Sequence, residues 1–266
     1  STGEVFRTQK DMRLGGVNYP KNGLLKISQT MAEYIEKNGG KIHLNAPVSK
    51  IIINDKKAEG VVCGGKEYVF DTVLSNILVQ NLFSIADEHQ FPKDYVSTMK
   101  ALEGTGSLCA YYSLKQIDQR LLGKTFIFIE RNIGVDGNDA VGMIDFISAK
   151  AETGLSPPSH YLVQSYIICT PKEAGDKKIL NKLKVALDKN LERIIPQYHS
   201  QLHWAIYPSI WHLDGVAKTL MNTKPDIQTP VENLYIIGDC VKAPGIGINC
   251  AINSARIIQE MLSKSV

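Results

Sequence analysis

Leu24, Ile27, Met31 and Ile35 recur at spacings of three and four residues, which predicts a helix over residues 23–37 that stops at Gly39-Gly40. Short β-prone runs follow at 41–44, 48–53, 60–63 and 68–70. Asn54-Asp55-Lys56-Lys57 and Gly64-Gly65-Lys66 punctuate them, so a β-meander is expected, with 71–75 as a further strand leaving it. Near Leu78 the texture changes. Two short helical stretches flank Phe91-Pro92, and longer β-rich segments run over 107–114, 126–130, 141–147 and 160–169, as in an antiparallel sheet. Leu180, Leu183, Leu187, Leu191 and Ile194 then mark one face of a helix that Pro196 ends, and 201–206 can add a strand. Last come a buried strand at 233–238 and a helix lined by Ala251, Ala255, Ile258 and Leu262.

The end of the chain is closer in texture to its beginning than to its middle. The expected organisation is therefore one domain built from 1–76 and 230–266, with a second domain, 77–229, inserted into it.

The 266 residues carry a formal charge of +3 spread over mixed signs, without the Lys/Arg runs that bind a line of phosphates, so nucleic acid is not an expected partner. The five cysteines stand far apart and form no Cys-x-x-Cys pair, which argues against a zinc knuckle or a disulfide framework and for buried thiols in a reducing cytoplasm. His199 and His203 lack a third ligand in motif spacing, so no metal is expected. Ser156, Cys109 and His160 lack any nucleophile signature. No apolar run approaches the ~20 residues of a membrane span, and no signal-peptide core follows Ser1. The expected location is cytoplasmic, with room for peripheral membrane contact.

Chemistry concentrates near the C-terminus. Gly238-Asp239 closes the last strand, and Pro244-Gly245-Ile246-Gly247-Ile248-Asn249 opens the last helix, whose first turns carry the small residues Cys250, Ala251, Ser254 and Ala255. A helix start presents unpaired N–H groups and a positive dipole end, suited to an anionic or electron-rich ligand edge. An aspartate at a strand end is placed to accept hydrogen bonds from ligand hydroxyls.

This segment resembles the C-terminal FAD signature of the phytoene desaturase, retinol saturase and amine oxidase group. The resemblance implies an α/β (mixed α+β) fold, a partial FAD/NAD(P)-binding domain with an inserted antiparallel-sheet substrate domain. It puts Asp239 on the ribityl hydroxyls and the amides of Ile248 and Asn249 near the flavin pyrimidine edge, with Gly238, Gly245 and Gly247 shaping the loop. A second match, Tyr19-Pro-Lys-Asn-Gly23 followed after a helix by Pro47-Val48-Ser-Lys-Ile51, is similar to carotenoid desaturases and gives Val48 the adenine contact. The implied activity is FAD-dependent hydride transfer on an apolar, isoprenoid or polyene substrate.

The sequence departs from the group's pattern in three places: it has no Gly-x-Gly-x-x-Gly after a strand, it has Asn22 where desaturases carry glycine, and it has Cys240-Val-Lys-Ala243 where threonine and histidine are commoner. The expectation is therefore a chain equivalent to the C-terminal two-thirds of such an enzyme, binding FAD weakly and inactive by itself, and prone to self-association through its FAD domain. Two other readings stay open: a flavin amine oxidase, and a non-catalytic prenyl-binding protein of the Rab escort and GDP-dissociation-inhibitor type.

Overall fold

The computed structural model describes residues 6, 9–10, 13–14, 19–134, 137–217 and 222–264. The chain divides into two units, each with its own core. One joins His43–Gly104 to Asp214–Val266, and the other joins Gly15–Ile42 to Thr105–Leu213.

In the first unit, β1 (Val48–Asn54), β2 (Lys57–Cys63) and β3 (Lys66–Val69) form an antiparallel meander. Both of its turns have two central residues at positive φ, Asp55 and Lys56 at 46° and 61°, Gly64 and Gly65 at 56° and 75°. Such mirror-image turns match the twist of the strands they join. The stretch 41–44, expected as a strand, is not one: it runs into a turn where Asn45 has φ 55°, with Pro47 two residues on and no ladder partner among the described residues.

β4 (Val73–Ser75) leaves the meander and pairs in parallel with β11 (Leu234–Ile236). Residues 77–104, which the sequence reading groups with the inserted domain, supply Val79, Leu82, Phe91, Met99 and Leu102 to the same core as Ile51, Leu234, Ile236 and Ile258. They form a 3-10 turn at Val79–Ser84, another at Glu88–Gln90, and the helix α2 (Lys93–Lys100). The unit's last element is α4 (Ile248–Ser263).

The second unit begins with α1 (Leu25–Lys37), the amphipathic helix read from the spacing, although none of its residues is buried. Its sheet holds β5 (Thr105–Leu114), β6 (Thr125–Glu130), β7 (Ala140–Asp145), β8 (Tyr161–Cys169), β9 (Leu202–Ile206) and β10 (Ser209–Asp214). The order is β10-β5-β8-β7-β6, with β9 also on β5. The β5/β8, β8/β7, β7/β6 and β5/β9 pairs are all antiparallel. β10 is an element that the sequence reading did not anticipate.

One face of this sheet is covered by α3 (Lys177–Ile194). The Asp176 carboxylate caps it, accepting from the amides of Lys178 at 2.7 Å and Ile179 at 3.2 Å. Leu183, Leu187 and Leu191 are fully buried against Leu108, Tyr112, Ile144 and Ile167. Each such leucine contributes roughly 1.5–3 kcal/mol of burial.

Strand alternation sends the other side chains to the opposite face. Register aligns Ile127, Met143, Tyr166 and Cys109 in one row across four strands, and Tyr111 with Ile206 and Gln164 in another. Ile127, Ile129, Val141, Trp204 and Ile206 are exposed there. The hydroxyl of Tyr19 accepts from Gln164 Nε2 at 2.9 Å on this face.

Candidate functional site

The loop between β11 and α4 is built from glycines where no other residue fits. The peptide leaves β11 with Ile237 N–H donating to Ser75 O at 2.9 Å. Gly238 then takes φ 114°, and a Cβ there would lie 2.4 Å from Asn76 Oδ1. Its N–H donates to Ser254 Oγ at 2.9 Å, and the Ser254 hydroxyl donates to Ala251 O at 2.6 Å. Ser254 is wholly buried, so the small residue on the second turn of α4 is a hydrogen-bond anchor for the loop as well as a close-packing position.

Asp239 follows, partly buried. Its backbone carbonyl accepts from the ammonium of Lys224. A Cβ at position 215 would lie 3.1 Å from Leu78 Cδ2, 3.3 Å from Cys240 Cβ and 3.6 Å from Asp239 Oδ1, so only glycine lets the backbone pass this close to the carboxylate. Next to it Cys240 is buried, and burial pushes its thiol up to about 11.

The return into α4 needs Gly245 at φ 94°, where a Cβ would sit 3.0 Å from Asn249 Cβ, and Gly247 at φ 53° as the residue before the helix. No side chain caps α4. Asn249 N–H donates to Ile246 O at 3.2 Å and Ala251 N–H to Gly247 O at 3.0 Å, while Ile248 opens the helix with an amide that the helix itself cannot pair. Asn253 Nδ2 ties the loop by donating to Pro244 O at 3.0 Å. Of the two amides singled out in the sequence, that of Asn249 is thus engaged in a local turn and that of Ile248 stands at the helix mouth.

Val48 begins β1, the edge of the meander, and is 37% exposed. The ladder shifts register between Val48 and Lys50, while Val48 stays paired with Cys63 of β2. Further along the same edge Ile51 spends its amide on Ile85 O at 2.6 Å. The meander is tied to the segment before β11, because Ala58 N–H donates to Glu232 O and Glu232 N–H to Lys56 O, both at 2.8 Å. Val48 and the Gly238-to-Asn249 loop therefore belong to one unit.

Residues the sequence reading did not weigh also shape this site. Gln80 Nε2 donates to Leu102 O at 2.9 Å and to Gly215 O at 2.7 Å, while its Oε1 is buried with no partner among the described residues. Through the Gly215 carbonyl, Gln80 fixes the backbone that passes beside Asp239. Gln80 and Gly215 carry no motif, Asn76 ends the segment Thr72-Val-Leu-Ser-Asn76 that resembles the point where desaturase chains leave the FAD domain, and Lys224 stands in a polar, proline-rich stretch that reads as a connection.

A carboxylate placed to accept from hydroxyls, a glycine cradle and a helix-start amide together fit a hydroxylated ligand with an electron-rich edge. Mixed helices and sheet in this arrangement define the fold of FAD oxidoreductases. The chain belongs to the flavin-containing amine oxidoreductase family, whose profile matches residues 4–258.

Among curated proteins it is similar to a chloroplastic prolycopene isomerase of Arabidopsis thaliana, 24% identical over 282 residues that cover 91% of this chain and 46% of that protein. It is also similar to an all-trans-retinol 13,14-reductase of Danio rerio, 35% identical over 136 residues, 45% of this chain and 22% of that protein. The chain spans less than half the length of these relatives. Among solved structures an oxidoreductase from Methanosarcina mazei superposes with TM-score 0.75 at 21% identity, covering 97% of this chain and 59% of that one. No helix among the described residues is long and apolar enough to cross a membrane.

Proposed function

We propose that this chain holds the ribityl, pyrimidine and adenine parts of FAD in an oxidoreductase acting on an apolar isoprenoid or polyene substrate. The observation that carries the cofactor reading is Gly238-Asp239. A glycine at φ 114° delivers a partly buried carboxylate to the end of a parallel strand, beside the close backbone approach of Gly215 and before an uncapped helix start.

In this reading Asp239 accepts from ribityl hydroxyls, Ile248 N–H donates to the electron-rich pyrimidine edge, and the backbone of Val48 meets the adenine. Bound FAD supplies two-electron redox chemistry by exchanging a hydride with the substrate. The protein's share is binding, orientation and exclusion of water. No acid–base pair is assigned to it.

The substrate class is supported by relatives named for prolycopene and retinol, and by the sheet face of the second unit that carries Ile127, Ile129, Val141, Met143 and Ile206. An apolar polyene offers few polar handles, so such a surface gains affinity mainly through area.

The test has two arms. Flavin fluorescence titration should show Asp239→Ala weakening FAD binding by about 1.5–3 kcal/mol per lost charge-assisted hydrogen bond. Incubation of the complete FAD-loaded enzyme that contains this chain with a cis-polyene, a retinoid and a primary amine, followed by chromatography, should show turnover of an isoprenoid. Unchanged affinity in Asp239→Ala would overturn the cofactor placement, and turnover of the amine alone would overturn the substrate class.

A further inference from the structure

We propose that Lys224 and Cys250 are a covalent modification site, joined by oxidation into an N–O–S crosslink behind the Asp239 loop. Lys224 Nζ lies 3.6 Å from Cys250 Sγ. The other neighbours of that sulfur are carbonyl oxygens, those of Asp239 and Val241 at 3.7 Å and of Ala243 at 3.5 Å, none of which can react with it. The ammonium is thus the only reactive group found beside this thiol among the described residues. The separation leaves room for one bridging oxygen, whereas a direct S–N bond demands a far larger approach.

Access and confinement favour the same product. Cys250 is wholly buried, and large oxidants and free thiols cannot reach it. Lys224 lies in the wall of an open cavity of about 760 Å³, together with Tyr95, Thr223 and Met261, through which a small oxidant can enter. We name that oxidant as a peroxide.

The chemistry balances in two steps. Hydrogen peroxide oxidises the thiol to sulfenic acid, S–OH, and leaves as one water. The ammonium gives a proton to solvent. A second peroxide then removes the hydroxyl hydrogen and one amine hydrogen as the N–O bond forms, and leaves as two waters. Sulfur and nitrogen are oxidised, two peroxides are reduced, and the product is Nζ–O–Sγ with one hydrogen on nitrogen.

The crosslink ties the segment before β11 to the first turn of α4. It also removes the positive charge that now donates to Asp239 O. On the reading that Asp239 binds FAD, loosening the loop that carries its carboxylate should weaken FAD binding, by up to roughly tenfold where the loop must be re-ordered on binding.

Treating the reduced protein with hydrogen peroxide, digesting it with trypsin and weighing the peptides tests the crosslink without reference to FAD. Residues 219–242 hold Lys224, where cleavage before Pro225 is blocked, and residues 243–256 hold Cys250. The expected species is this pair joined, about 14 Da heavier than the sum of its parts for one oxygen gained and two hydrogens lost. It should be released by thiol reductants, kept in Cys240→Ser and absent from both Lys224→Arg and Cys250→Ser. A joined pair about 2 Da lighter than the sum and lost in Cys240→Ser would be a disulfide and would overturn the proposal. So would Cys250 found unlinked while Cys63 is oxidised. If the crosslink forms but oxidation leaves FAD affinity unchanged in the unsubstituted protein, the modification stands and the placement of FAD on Asp239 falls.

Discussion

Replacing Gly238 with alanine separates two costs that the structure puts at one position. The first is conformational: at φ 114° a residue with a Cβ is strained by about 1–3 kcal/mol whatever space surrounds it. The second is steric, because the new methyl would stand 2.4 Å from Asn76 Oδ1. Overpacking of that kind costs about 1–3 kcal/mol. Asn76 is exposed and its amide can swing aside, so the steric part falls at the low end. The expected loss is about 2–3 kcal/mol, a melting shift of roughly 4–12 °C for a chain of this size. Urea unfolding followed by circular dichroism measures it, and the double variant Asn76→Ala with Gly238→Ala apportions it. Asn76→Ala should return about 1 kcal/mol of the loss, the steric part, and leave the conformational part untouched. A Gly238→Ala variant within about 0.5 kcal/mol of the unsubstituted protein would refute the reasoning, since surface changes of no structural meaning fall in that range.

Ser254→Ala should cost about 1–3 kcal/mol in the same urea experiment, because it strands the buried N–H of Gly238, and Ser254→Cys should not rescue it fully. Leu187→Ala, in the middle of the buried face of α3, should cost about 2–5 kcal/mol by leaving a cavity. Asp188 is the acceptor for Tyr207 at 2.6 Å, Tyr112 at 2.9 Å and Lys184 at 2.9 Å. Burial raises its carboxyl, but these three donors outweigh that and hold it below the usual carboxylate range. A depressed folded-state value means stability present above the unfolded value and lost as pH falls through the folded one. The gap in melting temperature between the unsubstituted protein and Asp188→Asn should therefore be widest near neutral pH and shrink in acid; a gap constant down to pH ~3 would contradict this. Among the thiols, burial pushes Cys169 up to about 12 and Cys240 up to about 11, so a bulky disulfide reagent at mildly alkaline pH should label the partly exposed Cys63 first. Labelling of Cys240 ahead of Cys63, read by peptide mass, would sink that ordering.

Much of this fold was legible because its signals are local. The helix over Leu25–Lys37 and the helix over Lys177–Ile194 follow from three- and four-residue spacing, and the meander turns from Asp55-Lys56 and Gly64-Gly65. The stretch 41–44 has the composition of a strand but no partner to pair with among the described residues, and a strand is a property of two segments. Ser209–Asp214 was missed for the mirror-image reason: Trp211, His212 and Leu213 are all exposed, so no alternation marks a strand that its neighbour β5 defines.

The candidate site divides along the same line. Gly238, Asp239, Gly245 and Gly247 announce themselves because a turn at positive φ is written into one residue type. Gln80, Asn76, Gly215 and Lys224 act only through partners far away in sequence: Gln80 reaches the carbonyl of Gly215 and Lys224 that of Asp239. A glutamine in a 3-10 turn or a lysine before a proline has many equally good places to point, and only the folded chain selects one. Glycine-rich loops are therefore visible in sequence for what their backbones must do. The side chains that hold such loops in place become visible only when the distant carbonyls they reach are known.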